Sequence, residues 1–319
     1  MNRRNRIVGS LGALEGTGLE IGALHHPIVD RAEARVLYVD HADTAALREK
    51  YAEHQLSGDI VDVDVVWSDG RLARALGDRS PVDWVIASHV IEHSPNLVGW
   101  LDELADVMRD GAILSLAVPD KRYCFDIHRR ETDPADVVGA WLADSRTPSL
   151  GTVYEFYARI TTVETTRAWA GAYDLDGTED NVELGLEWAR KAAASKDYFD
   201  VHCWTFTPSS FVATLSTLYR LGLTSFRVLS FTPTQFGEPE FFCSLERLPR
   251  ELDIAERQRL QLASLPVLDG TTRGAPLPTE AVVLSEKEKR LITIKRHVAE
   301  TARHAVARVG RAVARGRVD

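Results

Sequence analysis

A chain of 319 residues that is 45% hydrophobic and 27% charged, with a net charge of −9, has the make-up of a soluble globular protein, long enough for one large domain or two smaller ones. The charge is uneven: residues 285–319 carry ten Lys/Arg against four Asp/Glu (+6), leaving 28 basic and 43 acidic side chains (−15) for the remainder. An acidic body argues against nucleic-acid binding, and no apolar stretch reaches the roughly 18 residues of a membrane span.

The N-terminal MNRRNRIVGSLGALEG is basic, but its apolar segment is too short for a signal peptide. Cys124, Cys203 and Cys243 form neither a CxxC pair nor an even framework, as expected of reduced thiols in a cytoplasmic protein. The first organising stretch is GLEIGALHHPIVDRAEARVLYVD, where Leu19-Glu20-Ile21 ends in Gly22 and, after an irregular loop, Val36 to Val39 closes on Asp40. In an open α/β sheet this layout puts a glycine turn and an acid on one carboxyl edge. The turn lets a ligand approach the backbone, and the acid can accept hydrogen bonds from a ribose. The dinucleotide fingerprint G-x-G-x-x-G is absent, since only Gly22 stands where its glycines would be.

Further along, the spacing predicts a helix over Thr44 to His54 and a third strand over Ile60 to Trp67, stopped by Ser68-Asp69-Gly70. A short helix over Arg71 to Leu76 precedes a buried parallel strand at Val82 to Ala87. Leu97, Leu101, Leu104 and Met108 share a helical face; Asp110-Gly111 ends that helix, and Ala112 to Val118 is another buried strand. Strands alternating with helices indicate a parallel sheet with crossovers. From Tyr123 to about Ala194 helical stretches rich in Trp, Tyr and Ala replace this pattern, with breaks at Pro134, Pro148-Ser149 and Asp174 to Asp180. Thr207-Pro208-Ser209-Ser210 starts a helix that runs to Leu221 and ends at Gly222. Strands at Ser225 to Phe231 and Phe241 to Leu245 are close enough in sequence for a hairpin. Leu252 to Leu262 is a candidate helix, and Pro266 to Pro278 reads as a linker. From about Ser285 to Ala314 an apolar stripe is flanked by Lys and Arg, as in a basic amphipathic helix.

With LEIG, YVD, VIASHVIEHSPN and RDGAILSLAVPD in this order, the chain resembles a class I S-adenosyl-L-methionine-dependent methyltransferase over Gly18 to Pro119 and again over Thr207 to Leu245. VIASHVIEHSPN is similar to the post-glycine motif of small-molecule methyltransferases of the ubiquinone-biosynthesis type. PDKRYCFD and HCWTF look like a bacterial subgroup associated with glycosyltransferases and cell-surface sugars. The resemblance implies a Rossmann-like α/β fold: a mostly parallel seven-stranded sheet with an antiparallel terminal hairpin and a helical cap insertion. The expected organisation is a cofactor-binding half at 1–122, a helical cap at 123–195, completion of the core at 196–248, a linker and short helix at 249–284, and a basic helix at 285–319.

Carried over to this chain, the family pattern makes Glu20 and Gly22 the loop under the methionine part of the cofactor, with Asp40 on the ribose hydroxyls and Asp69 facing the adenine. Ala87, Ser88 and His89 line the methionine side, mostly through backbone groups. Where the family usually has further glycines, this loop has Leu24 and His26. Methyl transfer to an alcohol requires orientation of the acceptor and removal of a proton, which suits histidine. His93, His128 and His202 are the candidates, with Asp120 placed to touch an acceptor or to orient such a histidine. Asp120, Asp126 and His128 could together bind a divalent ion, although no diagnostic spacing marks a metal site and none is assigned.

These assignments have plainer rivals: Asp40 as a helix cap, Gly22 as an ordinary strand-ending turn, Asp69-Gly70 as a turn, Glu92-His93 as a cap that orients the helix leading into Pro95, His202 as part of a packed segment, and Trp100, Trp141, Trp169, Trp188 and Trp204 as core. The expected acceptor is a small molecule, foremost a sugar or glycan hydroxyl. The alternatives are N- or C-methylation of a specialised metabolite, or an inactive methyltransferase-fold subunit of a glycosyltransferase complex. For the basic tail the default is a solvated helix or a homo-oligomer contact, with peripheral attachment to a membrane or a protein partner as the alternative.

Overall fold

The computed structural model describes residues 2–52, 57–68, 70–171, 181–195 and 197–268. Asp69, the breaks at 174–180 and the basic helix expected from residue 285 onward lie outside these residues.

In chain order the elements are α1 (Arg3–Val8), β1 (Thr17–Ile21), β2 (Arg35–Asp40), α2 (Thr44–Lys50), β3 (Val65–Val66), α3 (Leu72–Leu76), β4 (Val82–Ser88), α4 (Leu97–Val107) and β5 (Met108–Pro119). They continue with α5 (Pro134–Leu142), α6 (Leu150–Arg159), α7 (Thr165–Trp169), α8 (Val182–Ala194), α9 (Pro208–Leu221), β6 (Phe226–Thr232), β7 (Glu240–Arg247) and α10 (Ile254–Ala263). The strands form one seven-stranded sheet in the order β3-β2-β1-β4-β5-β7-β6. The first five run parallel, β7 pairs antiparallel with β5, and β6 pairs antiparallel with β7. This is the Rossmann-like layout with a terminal hairpin that the resemblance implies.

The period-2 geometry of strands separates the two faces of the sheet. On β4, Val85 and Ala87 enter one core with α3, α4, α5 and α9, while Trp84 and Ile86 enter a second beneath α1 and the loop after β1. Gly18 on β1 makes room for the ring of Trp84, because a Cβ there would stand 2.1 Å from the indole. α1 is fixed over the second face by Ile7, whose carbonyl accepts from Ser115 Oγ at 2.6 Å. Helix ends follow local chemistry: Asp43, Asn96, Asp133, Ser149 and Thr207 each cap a helix N-terminus with a side-chain oxygen. Gly222 closes α9 in the left-handed conformation.

Three boundaries depart from the sequence expectation. The third strand is only Val65–Val66 rather than Ile60 to Trp67. Upstream backbone groups are used elsewhere: the Val61 N–H donates to Leu24 O and the Val63 N–H to Thr44 Oγ1, so this stretch ties the first loop to α2 instead of extending the sheet edge. The fourth helix stops at Val107, and β5 already begins at Met108, paired with Val82, so Asp110-Gly111 falls within the strand's irregular start. The second helix ends at Lys50 rather than His54. In the stretch after β5, α6 packs along α8, whereas Val137 of α5 is buried in the main core.

Candidate active site

The carboxyl ends of β1, β2 and β4 bring most of the expected cofactor residues to one edge. Gly22 follows β1 with φ +70°, and a Cβ there would stand 3.0 Å from Val90 Cγ2, so the turn needs glycine for both conformation and space. Its N–H donates to Val39 O at 2.9 Å, which locks the turn to β2. Leu24, where the sequence resemblance would put a glycine, has φ +48°. The loop therefore keeps a left-handed residue there despite the side chain, at the cost of local strain.

Glu20 is 2% exposed, and its carboxylate accepts from the N–H groups of Ile28 at 2.6 Å and Val29 at 3.0 Å. It shapes the loop from within the fold. Burial raises its pKa to about 7, with the two amide donors and Arg4 pulling the other way. Asp40, at the tip of β2, does not cap the following helix; Asp43 does. One Asp40 oxygen takes the N–H of His41 at 2.7 Å and faces the His41 ring nitrogen Nδ1 at 2.6 Å.

At the β4 end the residues expected to border the methionine side are partly engaged within the protein. Ala87 is fully buried between β1 and β5. His89 adopts φ +55°, and its N–H is already donated to Ala117 O at 2.9 Å. Ser88 Oγ accepts from Arg3 at 2.7 Å, and Arg3 and His89 Nε2 both reach Glu240, at 2.6 and 2.7 Å. Arg3 and Glu240 carry no motif, and the sequence gives no signal for them; the contact joins residues 237 apart.

Beyond β4 the chain turns through Ile91–His93, and the segment 198–204 is strapped onto that turn. The N–H groups of Cys203 and Trp204 both donate to Glu92 O, Tyr198 Oη donates to His93 O at 3.0 Å, and Trp204 Nε1 donates to Ser94 O at 2.6 Å. This strap sets His202 beside Glu92, with Nε2 3.9 Å from Glu92 Oε1. The other ring nitrogen, Nδ1, lies 2.5 Å from Asp126 Oδ2, and Asp126 is paired on its far side with Arg129 at 2.8 Å. Burial would raise the Asp126 pKa, but His202 and Arg129 outweigh it and hold the carboxyl below its ordinary value.

His93 stacks edge-on against His202 with ring centres 4.6 Å apart, and its Nδ1 is 2.8 Å from Asp200 Oδ1. Burial opposes the charged form of His93, yet Asp200 and Glu92 raise its pKa. His89 Nδ1 approaches the same Glu92 oxygen at 3.9 Å. Glu92 is thus a fully buried carboxylate with imidazoles on several sides and no hydrogen-bond partner for either oxygen among the described residues.

Asp120 has a different place. It is fully buried, grips Arg122 through both oxygens and accepts from Thr234 Oγ1 at 2.6 Å. The carboxylate that orients a catalytic candidate is Asp126, six residues later, and Asp120 is a bracket between the end of β5 and the hairpin. The grouping of Asp120, Asp126 and His128 as a metal site is not formed; among the described residues the cluster with metal-ligand spacing is Glu92, His93 and His202. His128 is half-buried on the turn after Asp126 and stands outside that cluster. Trp100, Trp169 and Trp204 are core residues. A cavity of about 390 Å³ is lined by Pro95, Arg130, Thr132, Asp136, Ser149 and Trp204; it does not include Gly22, Asp40 or His202.

No family model and no curated protein matches the chain. Solved structures do align with it. A carbon methyltransferase, CurJ, aligns at 12% identity over 75% of this chain and 50% of its own, with a TM-score of 0.36. A structure described as a putative Zn-dependent alcohol dehydrogenase from Rhodobacter sphaeroides aligns at 15% identity over 77% and 89%, with a TM-score of 0.42. The plantazolicin methyltransferase BpumL, in complex with SAH, aligns at 7% identity over 77% and 82%, with a TM-score of 0.39. The chain spans half the length of the first of these. These alignments by themselves fix no chemistry for this chain.

Proposed function

We propose that the protein transfers a methyl group from S-adenosyl-L-methionine to a hydroxyl of a small molecule, foremost a sugar or glycan. The observation that carries this reading is one juxtaposition. A glycine turn and a strand-end acid, Gly22 and Asp40, share a carboxyl edge with the β4 end, from which the chain runs directly into the Glu92–His202–Asp126 constellation. The first pair suits a nucleoside, and the second suits proton removal.

The residues fit the cofactor on two counts. The Gly22 turn has no Cβ to obstruct a close approach, and Leu24 keeps a left-handed backbone within the loop. Asp40 remains at the edge instead of serving α2, which leaves it for the ribose hydroxyls. Ser88 and His89, held by Arg3 and Glu240, would border the methionine end. When bound, the cofactor supplies a sulfonium methyl group for in-line displacement. The protein's share is to hold the acceptor in line and to take up its proton as the new bond forms. Asp126 fixes the His202 ring, so the atom turned toward Glu92 is Nε2, the face at which a proton can be received.

Calorimetric titration with S-adenosylhomocysteine tests the reading. Stoichiometric binding is expected, and folded protein that takes up none would remove the methyl-transfer reading. Transfer of labelled methyl groups to sugar acceptors, compared with amine and carbon acceptors, then decides the acceptor class.

A further inference from the structure

We infer that Glu92, His93 and His202 form a binding site for a divalent first-row transition cation. Each of the three offers a ligand atom, and these atoms lie within 4.8 Å of one another. Two ligands about 2.1 Å from a common ion are separated by at most about 4.2 Å; the 3.9 Å between His202 Nε2 and Glu92 Oε1 is within that span, and any pair as wide as 4.8 Å must close by about 0.6 Å to share the ion.

An independent observation points to a ligand. Glu92 is 0% exposed, and both of its side-chain oxygens are buried with no hydrogen-bond partner among the described residues. A buried carboxylate in that state is costly unless something compensates it. The imidazoles beside it stand close but make no hydrogen bond to it, with the His202 and His89 contacts both at 3.9 Å. A cation between these groups would satisfy the carboxylate and the inward-facing nitrogen of His202 together.

The surroundings have the form of a metal site's outer layer. Histidine ligands are commonly held by a carboxylate on the second ring nitrogen, which fixes tautomer and orientation. His202 is held in this way by Asp126 at 2.5 Å; His93 Nδ1 lies 2.8 Å from Asp200 Oδ1, an ion-pair distance without hydrogen-bond geometry. Asp126 is neutralised from behind by Arg129 and Asp200 by Lys50, which keeps the net charge around the site moderate. His93 provides the entry side, since its side chain is 31% exposed while Glu92 and His202 are enclosed.

The donor set selects the kind of ion. Two imidazoles and one carboxylate suit Zn²⁺, Co²⁺ or Fe²⁺, whereas Mg²⁺ and Ca²⁺ favour all-oxygen shells. A soft-metal site would need thiolate, and Cys203 Sγ is directed to the carbonyls of His93 and Val201 instead. Three protein ligands leave at least one position for water or an acceptor hydroxyl, whose proton the ion would make easier to remove. With the ion bound, His202 serves as a ligand instead of taking up the proton itself, so this catalytic role replaces the one given to His202 above and rests on the methyl-transfer reading; the site itself does not.

The test is titration of chelator-treated full-length protein with Zn²⁺ by calorimetry and with Co²⁺ by visible absorption. One equivalent per chain and a cobalt spectrum of imidazole-ligated, four- or five-coordinate metal are expected. Glu92→Gln and His202→Gln should abolish that equivalent, and Asp126→Asn should weaken it by about 10- to 100-fold. His93→Ala, at the exposed ligand, provides a variant that leaves the enclosed residues in place, and it should lose the same cobalt spectrum. Absence of stoichiometric binding overturns the inference, as does binding unchanged in His93→Ala or Glu92→Gln. S-adenosylhomocysteine titration of the same samples separates the two readings, because loss of cofactor binding leaves the metal result standing.

Discussion

Asp126 and His202, 76 residues apart in sequence, meet at 2.5 Å inside the protein, and this contact determines which nitrogen of His202 faces Glu92. Both side chains are nearly inaccessible, so water cannot replace the bond if one partner is removed. The contact depends on the strap at 198–204, whose backbone is clipped to Glu92 O by two N–H groups.

Asp126→Asn should therefore cost both stability and activity. It leaves Arg129 without its closest carboxylate and frees the His202 ring to rotate. Breaking a buried ion pair by removing one partner costs roughly 3–5 kcal/mol, read as a lower midpoint in urea unfolding. Methyl transfer should fall by about 100-fold or more if His202 receives or directs the proton. A variant with full activity would remove His202 from the reaction.

Asp40→Ala should weaken S-adenosylhomocysteine binding by about 10- to 100-fold, since hydrogen bonds to a charged group contribute roughly 1.5–3 kcal/mol. The fold should tolerate the change, because Asp43 is the residue that caps α2. Unchanged thermal unfolding with lost binding is the expected pair of results. Intact binding would mean that the ribose lies elsewhere.

Glu20 gives the stability a pH dependence of definite sign. Burial lifts its folded pKa from the ordinary 4.5 to about 7, so the folded protein holds this proton more tightly than the unfolded chain. Stability from this group is greatest below about 4.5 and is lost as pH rises toward and through about 7. The wild-type protein should lose on the order of 2–3 kcal/mol across that range relative to Glu20→Gln, measured by denaturant unfolding at each pH. Parallel curves for the two proteins would show that the Ile28 and Val29 amides, not burial, set its ionisation.

The sheet was legible because hydrophobic period and turn chemistry are local: Val82 to Ala87, Gly22 and Gly222 all read correctly from their neighbours. VIASHVIEHSPN points to His93, but Asp200, 2.8 Å from it, lies across the strap and no spacing connects them. Asp120 stands out at the end of β5 because its position is legible in the sequence and its pairing is not; Arg122 and Thr234 already occupy it. The central role of Glu92 was hidden for the same reason, since a carboxylate next to a histidine in sequence gives no sign of being enclosed by imidazoles from other segments.

The loop after β1 offers the sharpest test of how far its unusual sequence matters. Gly22 and Leu24 both stand at positive φ, +70° and +48°, but only one of them is glycine. A left-handed backbone costs an ordinary L-residue roughly 1–2 kcal/mol, and glycine itself costs about 0.5–1 kcal/mol in unfolded-state freedom. Leu24→Gly should therefore be neutral or stabilising by up to about 1 kcal/mol, with cofactor binding retained, because the backbone course is already that of a glycine loop. Gly22→Ala should do the opposite: its Cβ would press on Val90 Cγ2 at 3.0 Å, with the conformational cost added. The expected result is a loss of about 1–3 kcal/mol in unfolding and a clear weakening of S-adenosylhomocysteine binding. If Leu24→Gly instead abolished binding in folded protein, the leucine side chain would be a contact rather than a tolerated replacement, and the loop would hold its ligand by packing.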